Sequence, residues 1–140
     1  MQTLIMEIEN LKYRYLINIF LYSIPLYQTV RLVDAHGHTH AQSAGRVELY
    51  NSPEWGTVCD DDFDINGAQV VCHQLGFPAA IAEHCCAHFG EGSGSILLDN
   101  VHCVGNESSI LDCETSEIGE HNCGHYEDVS VTCEQNGKSK

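Results

Sequence analysis

Eight cysteines fall between Cys59 and Cys133, and none of them is paired at the CxxC spacing of a zinc finger. Thiols spread this evenly through one stretch serve best as cross-links. A chain of 140 residues and 15.5 kDa is one domain with tails, and it buries only a modest core. Disulfides restrict the unfolded chain and so supply stability that such a core lacks. They also place the domain in an oxidising compartment. Many connectivities are open to eight cysteines, and spacing alone does not choose among them.

Charge narrows the function classes. Twenty acidic residues stand against six basic ones, for a net charge of −14 and a pI near 4.7. Seventeen of the acids lie between Val47 and Gly137, a stretch without Lys or Arg. Such a surface repels nucleic acid and anionic membrane, which excludes a reader of backbone phosphates. With 43% apolar residues the chain as a whole is not a disordered polyelectrolyte.

Three regions follow: an extension over residues 1–29, a domain over 30–134 and a polar tail over 135–140. Lys12 and Arg14 precede the apolar run Leu16 to Leu26, the layout of a signal segment. Asn18, Ser23 and Pro25 interrupt the run, which makes it a poor membrane span. Glu7 and Glu9 spoil the basic flank, and no small-x-small cleavage site follows. A signal peptide, an amphipathic extension and an anchor therefore stay open.

Within the domain, Val30–Val33, Arg46–Tyr50, Trp55–Cys59, Ile96–Val101 and Val129–Cys133 read as short strands, the second and third forming a hairpin around Asn51–Glu54. Asn66 is placed to cap a helix, with Gln69 as capping-box partner and Ile65 and Val70 as a hydrophobic staple. Ala68, Val71, Cys72 and Leu75 make one buried stripe, and Gly76 ends the helix. Ser108 or Ser109 can cap a single turn through Leu111. The Gly-rich stretch Phe89 to Ser95 lacks the Lys-Ser/Thr of a phosphate loop.

These segments, in order, resemble a known family. Val30-Arg31-Leu32-Val33, Gly45-Arg46-Val47-Glu48-Leu49-Tyr50, Trp55-Gly56-Thr57-Val58-Cys59-Asp60-Asp61 and Ala68 to Phe77 come first. Phe89 to Gly94, Leu98-Asp99-Asn100-Val101-His102-Cys103 and His121 to Val129 follow. Over roughly residues 30–134 the chain resembles a scavenger receptor cysteine-rich domain of group A. The resemblance implies an α+β fold: a small disulfide-stabilised domain whose curved antiparallel sheet cradles one main helix, with long loops. It also implies three disulfides, Cys59 with Cys123, Cys72 with Cys133 and Cys103 with Cys113. Phe63 stands where the family usually has Trp. Cys85 and Cys86 have no family counterpart; a vicinal disulfide, a thiol–imidazole metal site with His84 and His88, and free or intermolecular thiols are the alternatives.

Asp60, Asp61, Asp62 and Asp64 are the densest charge in the chain. Adjacent carboxylates repel unless a cation neutralises them, and hard cations such as calcium take several oxygen ligands. The resemblance implies calcium ligands at Asp60, Asp61 and Glu127, with a second cation position near Asp99 and Asn122. A Cys59–Cys123 bond would bring the acidic run beside Glu127 by covalent geometry. The EF-hand spacing is absent. His36, His38 and His40 alternate in a polar loop and could chelate a transition metal, and Asn106-Glu107-Ser108 is an N-glycosylation sequon. No nucleophile motif or metalloprotease motif occurs, and adjacent acids cannot flank a substrate as a glycosidase pair must, so no enzyme is expected.

The expected function is an extracellular, calcium-dependent recognition module of a scavenger-receptor-like protein, secreted or part of a membrane ectodomain. Its ligands are expected to be polyanionic or microbial surface polymers. Only Arg31 and Arg46 lie near the domain, so an anion needs calcium as a bridge to the carboxylates. The alternatives are a protein–protein interaction or accessory domain without polyanion affinity and a disulfide-stabilised spacer in a mosaic chain.

Overall fold

The computed structural model describes residues 29–136; the expectations for residues 1–28 and for the end of the polar tail lie outside them. Among the described residues there are six strands and one α-helix: β1 (Val30–Val33), β2 (Ala44–Asn51), β3 (Glu54–Val58), α1 (Ile65–Gln74), β4 (Ala80–His84), β5 (Ile96–Leu98) and β6 (Ser130–Cys133). Single 3₁₀ turns lie at Ile110–Asp112, capped by the Ser109 side chain, and at His125–Glu127. Among the described residues no helix is long and apolar enough to cross a membrane.

The sheet runs β4-β6-β2-β3-β5, with β1 pairing to β2 as well. It is antiparallel apart from β3 and β5, which run parallel. β2 is the hub: residues 46–49 pair with β1, 44–46 with β6 and 48–51 with β3. Its side chains alternate between two faces, and both are buried at the centre. Val47 and Leu49 enter the apolar core with Leu32, Val58, Val71, Leu98, Val129 and Val131. Each such side chain contributes roughly 1.5–3 kcal/mol. Arg46 and Glu48 face the other way and are buried beneath the Gly-rich segment. Gly92 lies so close to Thr57 that a Cβ would sit 2.4 Å from its methyl group. The glycines therefore allow a cover over the polar face.

The helix is capped two residues earlier than the sequence implies. Asp64 is the N-cap and accepts from the Asn66 and Gly67 N–H groups. Gln69 is no capping-box partner; its side-chain oxygen accepts from the Ala80 N–H at 2.8 Å and ties α1 to β4. Ile65 is 44% exposed and staples nothing. At the far end Gly76 adopts φ +88°, its N–H bonds His73 O, and Phe77 N–H reaches back to Cys72 O, a Schellman closure. Phe63 is buried, and its ring lies against Gly67, where a Cβ would be 2.9 Å away.

Four disulfides join Cys59 to Cys123, Cys72 to Cys133, Cys85 to Cys86 and Cys103 to Cys113. Cys72–Cys133 pins α1 to β6. The two bonds spanning 64 and 61 residues each restrict the unfolded chain by roughly 4 kcal/mol on the chain-entropy account.

Candidate metal centre

Four segments meet at one end of β3. Cys59 N–H donates to Leu98 O, Asp60 N–H to Glu127 O, and Val129 N–H to Val58 O. The Cys59–Cys123 bond adds a covalent tie. The acidic run, the exit of β5, the approach to Cys123 and the 3₁₀ turn at His125–Glu127 are thereby held together.

The side chains of Asp61, Asp99, Asn122 and Glu127 face one another there. Carboxylate oxygens of Asp61 and Glu127 lie within 4.8 Å of each other beside the bonded sulfurs of Cys59 and Cys123. Asp99 is buried at 2% exposure; it accepts from Asn100 N–H at 2.7 Å and from Asn122 N–H at 3.4 Å. With its amide nitrogen turned to the acids, Asn122 donates to Asp61 Oδ2 and Asp99 Oδ2, each at 3.2 Å. Glu127 Oε2 accepts from Gly124 N–H at 2.9 Å. Burial raises the Asp61 carboxyl above the ordinary carboxylate range, and the charges of Asp99, Glu127, Asp60 and Asp62 raise it further. An all-oxygen set whose members repel one another suits a hard cation.

Asp60 stands apart from that set. Its Oδ2 accepts from Cys86 N–H at 2.8 Å, which draws the carboxylate toward the Cys85–Cys86 loop. The five residues expected as ligands thus divide into a cluster of four and a neighbour.

Two residues given no role from the sequence tie the stretch that carries Glu127 to the Gly-rich segment. His125 Nδ1 contacts Asp128 Oδ2 at 2.9 Å, and His125 Nε2 contacts Gly94 O at 3.0 Å. Asp128 is fully buried and also accepts from Gly92 N–H at 2.7 Å. Burial pushes the His125 imidazole down, but the bonds to Asp128 and Gly94 and the negative charge of Asp128 and Glu91 outweigh it, so its pKa is raised. The signal was in the sequence: His125 and Asp128 flank Glu127 in the same short stretch.

Among the described residues no cationic patch balances the acids. Arg31 and Arg46 are the only Lys or Arg among the described residues, and both are spent on Glu48. Arg31 donates to its Oε2 from Nε at 2.8 Å and Nη2 at 2.6 Å, and stacks over Trp55 at 4.2 Å. Arg46 donates to Oε1 from Nη2 at 3.0 Å and Nε at 3.2 Å.

Of the remaining candidates, the loop of His36, His38 and His40 is organised by Asp34. Its carboxylate accepts from the His36 and His38 N–H groups and contacts the His38 ring at 3.0 Å. Asn106 is exposed on a loop.

A curled sheet around one helix, framed by disulfides, defines a small cross-linked α+β domain with an acidic pole. The scavenger receptor cysteine-rich domain matches residues 37–134, and the chain belongs to that family. It is 48% identical over 111 residues to mouse macrophage scavenger receptor types I and II, which covers 79% of this chain and 23% of the relative. It is 53% identical over 89 residues to a scavenger receptor cysteine-rich domain superfamily protein of Patiria pectinifera, covering 64% of this chain and 8% of that protein. The chain thus spans under a quarter of these relatives' length. Among solved structures, the dimeric form of the mouse MARCO domain aligns with a TM-score of 0.61 at 47% identity, covering 65% of this chain and 86% of that one. The third such domain of murine neurotrypsin aligns with a TM-score of 0.64 at 45% identity, covering 74% and 94%.

Proposed function

We propose that the domain is an extracellular, calcium-dependent recognition module that takes polyanionic or microbial surface ligands through a bridging cation. The observation that carries this reading is the convergence of the Asp61, Asp99, Asn122 and Glu127 side chains on one site. Asp61, Asp99 and Glu127 would hold calcium through carboxylate oxygens. Asn122 would contribute its carbonyl oxygen after an amide rotation, and Asp60 a second-rank carboxylate. A bound cation with unfilled coordination positions presents positive charge to a ligand anion. With both arginines engaged by Glu48, the cation is the domain's means of attracting a polyanion. Catalysis is not part of the reading. Asn106 is the glycosylation position if the chain passes through the secretory route.

A second reading, a protein-docking or accessory domain without polyanion affinity, is favoured by one feature. A shallow apolar groove is lined by Leu49, Leu97, Leu98 and the exposed Tyr50, Leu111 and Ile118. Retention on anionic polymer beads separates the two. Retention that requires calcium and disappears with a chelator supports the bridging reading; no retention at any calcium concentration overturns it in favour of protein docking.

A further inference from the structure

The bond between Cys85 and Cys86 differs from the other three in access and in structural weight. Cys59, Cys72, Cys103, Cys113 and Cys133 are buried, and Cys123 is half-buried, whereas both Cys85 and Cys86 are exposed. Thiol–disulfide exchange requires a thiolate to reach a sulfur, so a dithiol reductant meets this bond first. Opening it releases almost no chain entropy, because the bond spans neighbouring residues, against 64, 61 and 10 for the others. The fold therefore survives its reduction.

Reduction would leave a ready group of ligands. One carboxylate oxygen of Asp60 and the sulfurs of Cys85 and Cys86 all lie within 4.8 Å of one another. Asp60 is held there by the Cys86 N–H, and Ala87 N–H is held by Asp128 O at 3.0 Å, so the loop is fixed to the β3 end at two points. Cys86 and Ala87 both occupy the left-handed region, at φ 66° and 52°. No Lys or Arg lies in this part of the chain to compete for the negative charge.

We infer that Cys85, Cys86 and Asp60 form a redox-gated site for a thiophilic divalent cation such as zinc. It is closed as the disulfide and opened by a dithiol reductant. In the opening step a reductant thiolate attacks one exposed sulfur, the Cys85–Cys86 bond breaks, and a mixed disulfide forms. The reductant's second thiol then displaces the protein sulfur. Two electrons pass to the protein, the reductant leaves as its disulfide, and both cysteines become thiols. Binding of the cation releases their protons, leaving a dithiolate–carboxylate chelate completed by solvent. This site is separate from the oxygen cluster of Asp61 and Glu127; Asp60 is the residue between them.

Limited dithiol treatment of the native domain, followed by alkylation and peptide mass analysis, tests the gate. Label confined to Cys85 and Cys86 is the expected result; label distributed over the other six cysteines overturns it. Zinc and cadmium titrations of the reduced domain test the site, with the near-ultraviolet cadmium–thiolate band as readout. One-to-one binding is expected only after reduction. It should be lost in the double substitution Cys85→Ser, Cys86→Ser and weakened by about tenfold or more in Asp60→Asn, the range known for groups that merely support a ligand. A reduced domain that binds neither metal, or an Asp60→Asn variant of unchanged affinity, refutes the assignment. The serine double variant in its calcium titration keeps this test apart from the calcium reading, since it retains the Asp61 cluster intact.

Discussion

Removing the carboxylate of Glu48 is the most severe single test of how the polar face of the sheet is held. Glu48 is 5% exposed and accepts four N–H groups, two from Arg31 and two from Arg46. Glu48→Gln keeps the shape but removes the charge and turns an amide N–H₂ toward a guanidinium. Breaking a buried pair by removing one partner costs about 3–5 kcal/mol, against 0–1 kcal/mol for an exposed pair. The Arg31 side chain is 31% exposed and its share is discounted to about 1 kcal/mol or less by solvent screening. Arg46 is 10% exposed and carries the remainder, which puts the total near 3 kcal/mol. For a domain of this size that lowers Tm by roughly 10–20 °C. Urea and thermal unfolding of the single variant, with disulfides intact, measure it. Arg46→Met should cost more than Arg31→Met, and combining Arg46→Met with Glu48→Gln should recover part of the sum, because no charge is then left buried alone. A Glu48→Gln variant within about 1 kcal/mol of the parent would refute the reasoning and make the network a solvated one.

Asp61→Asn should raise the thermal stability of the chelator-treated domain at neutral pH. Because the folded carboxyl titrates above its unfolded value, its favourable contribution is complete only below the unfolded pKa and is lost as pH rises through the folded one. Calcium should therefore stabilise the parent more at pH 7 than in the acid range, and a variant no more stable than the parent in chelator contradicts this. Gly45→Ala should destabilise by about 1–3 kcal/mol, since its Cβ would lie 2.5 Å from the Val33 carbonyl oxygen and force β1 from β2; unchanged unfolding would show that the strands part freely. His125 should hold its proton to higher pH than a free imidazole in an NMR titration. Its stabilisation is full below the unfolded pKa and fades as pH rises through the raised folded one. An ordinary or lowered value would remove its bond to Asp128 from the account.

The sequence was informative where pattern and physics coincide. The alternation of Val47 and Leu49 with Arg46 and Glu48 marks β2, and Gly76 after Leu75 marks the helix end. It was silent where tertiary contacts decide. β4 carries Ala80 and Ala82 on its half-buried side and the 64%-exposed Ile81 outside, an inverted pattern that gives no strand signal; pairing with β6 and the bond from Gln69 make it a strand. The helix cap went to Asp64 instead of Asn66 because the acidic run ends in a turn that aims that carboxylate at two free N–H groups. The nearness of Asp61 and Glu127 followed from the family resemblance, through the Cys59–Cys123 pairing that it implied. The division of Asp60 from them depends on the Cys86 N–H, a contact across loops that sequence does not display.

Calorimetric titration of calcium into the oxidised domain, beside the same titration of a variant carrying Asp61→Asn and Glu127→Gln, tests the central claim most directly. Saturable binding in the parent that vanishes in the variant, with both folded, is the predicted result. Absence of heat and of any calcium-induced stabilisation at millimolar concentration would contradict the account and leave the acidic pole a solvated or protein-docking surface.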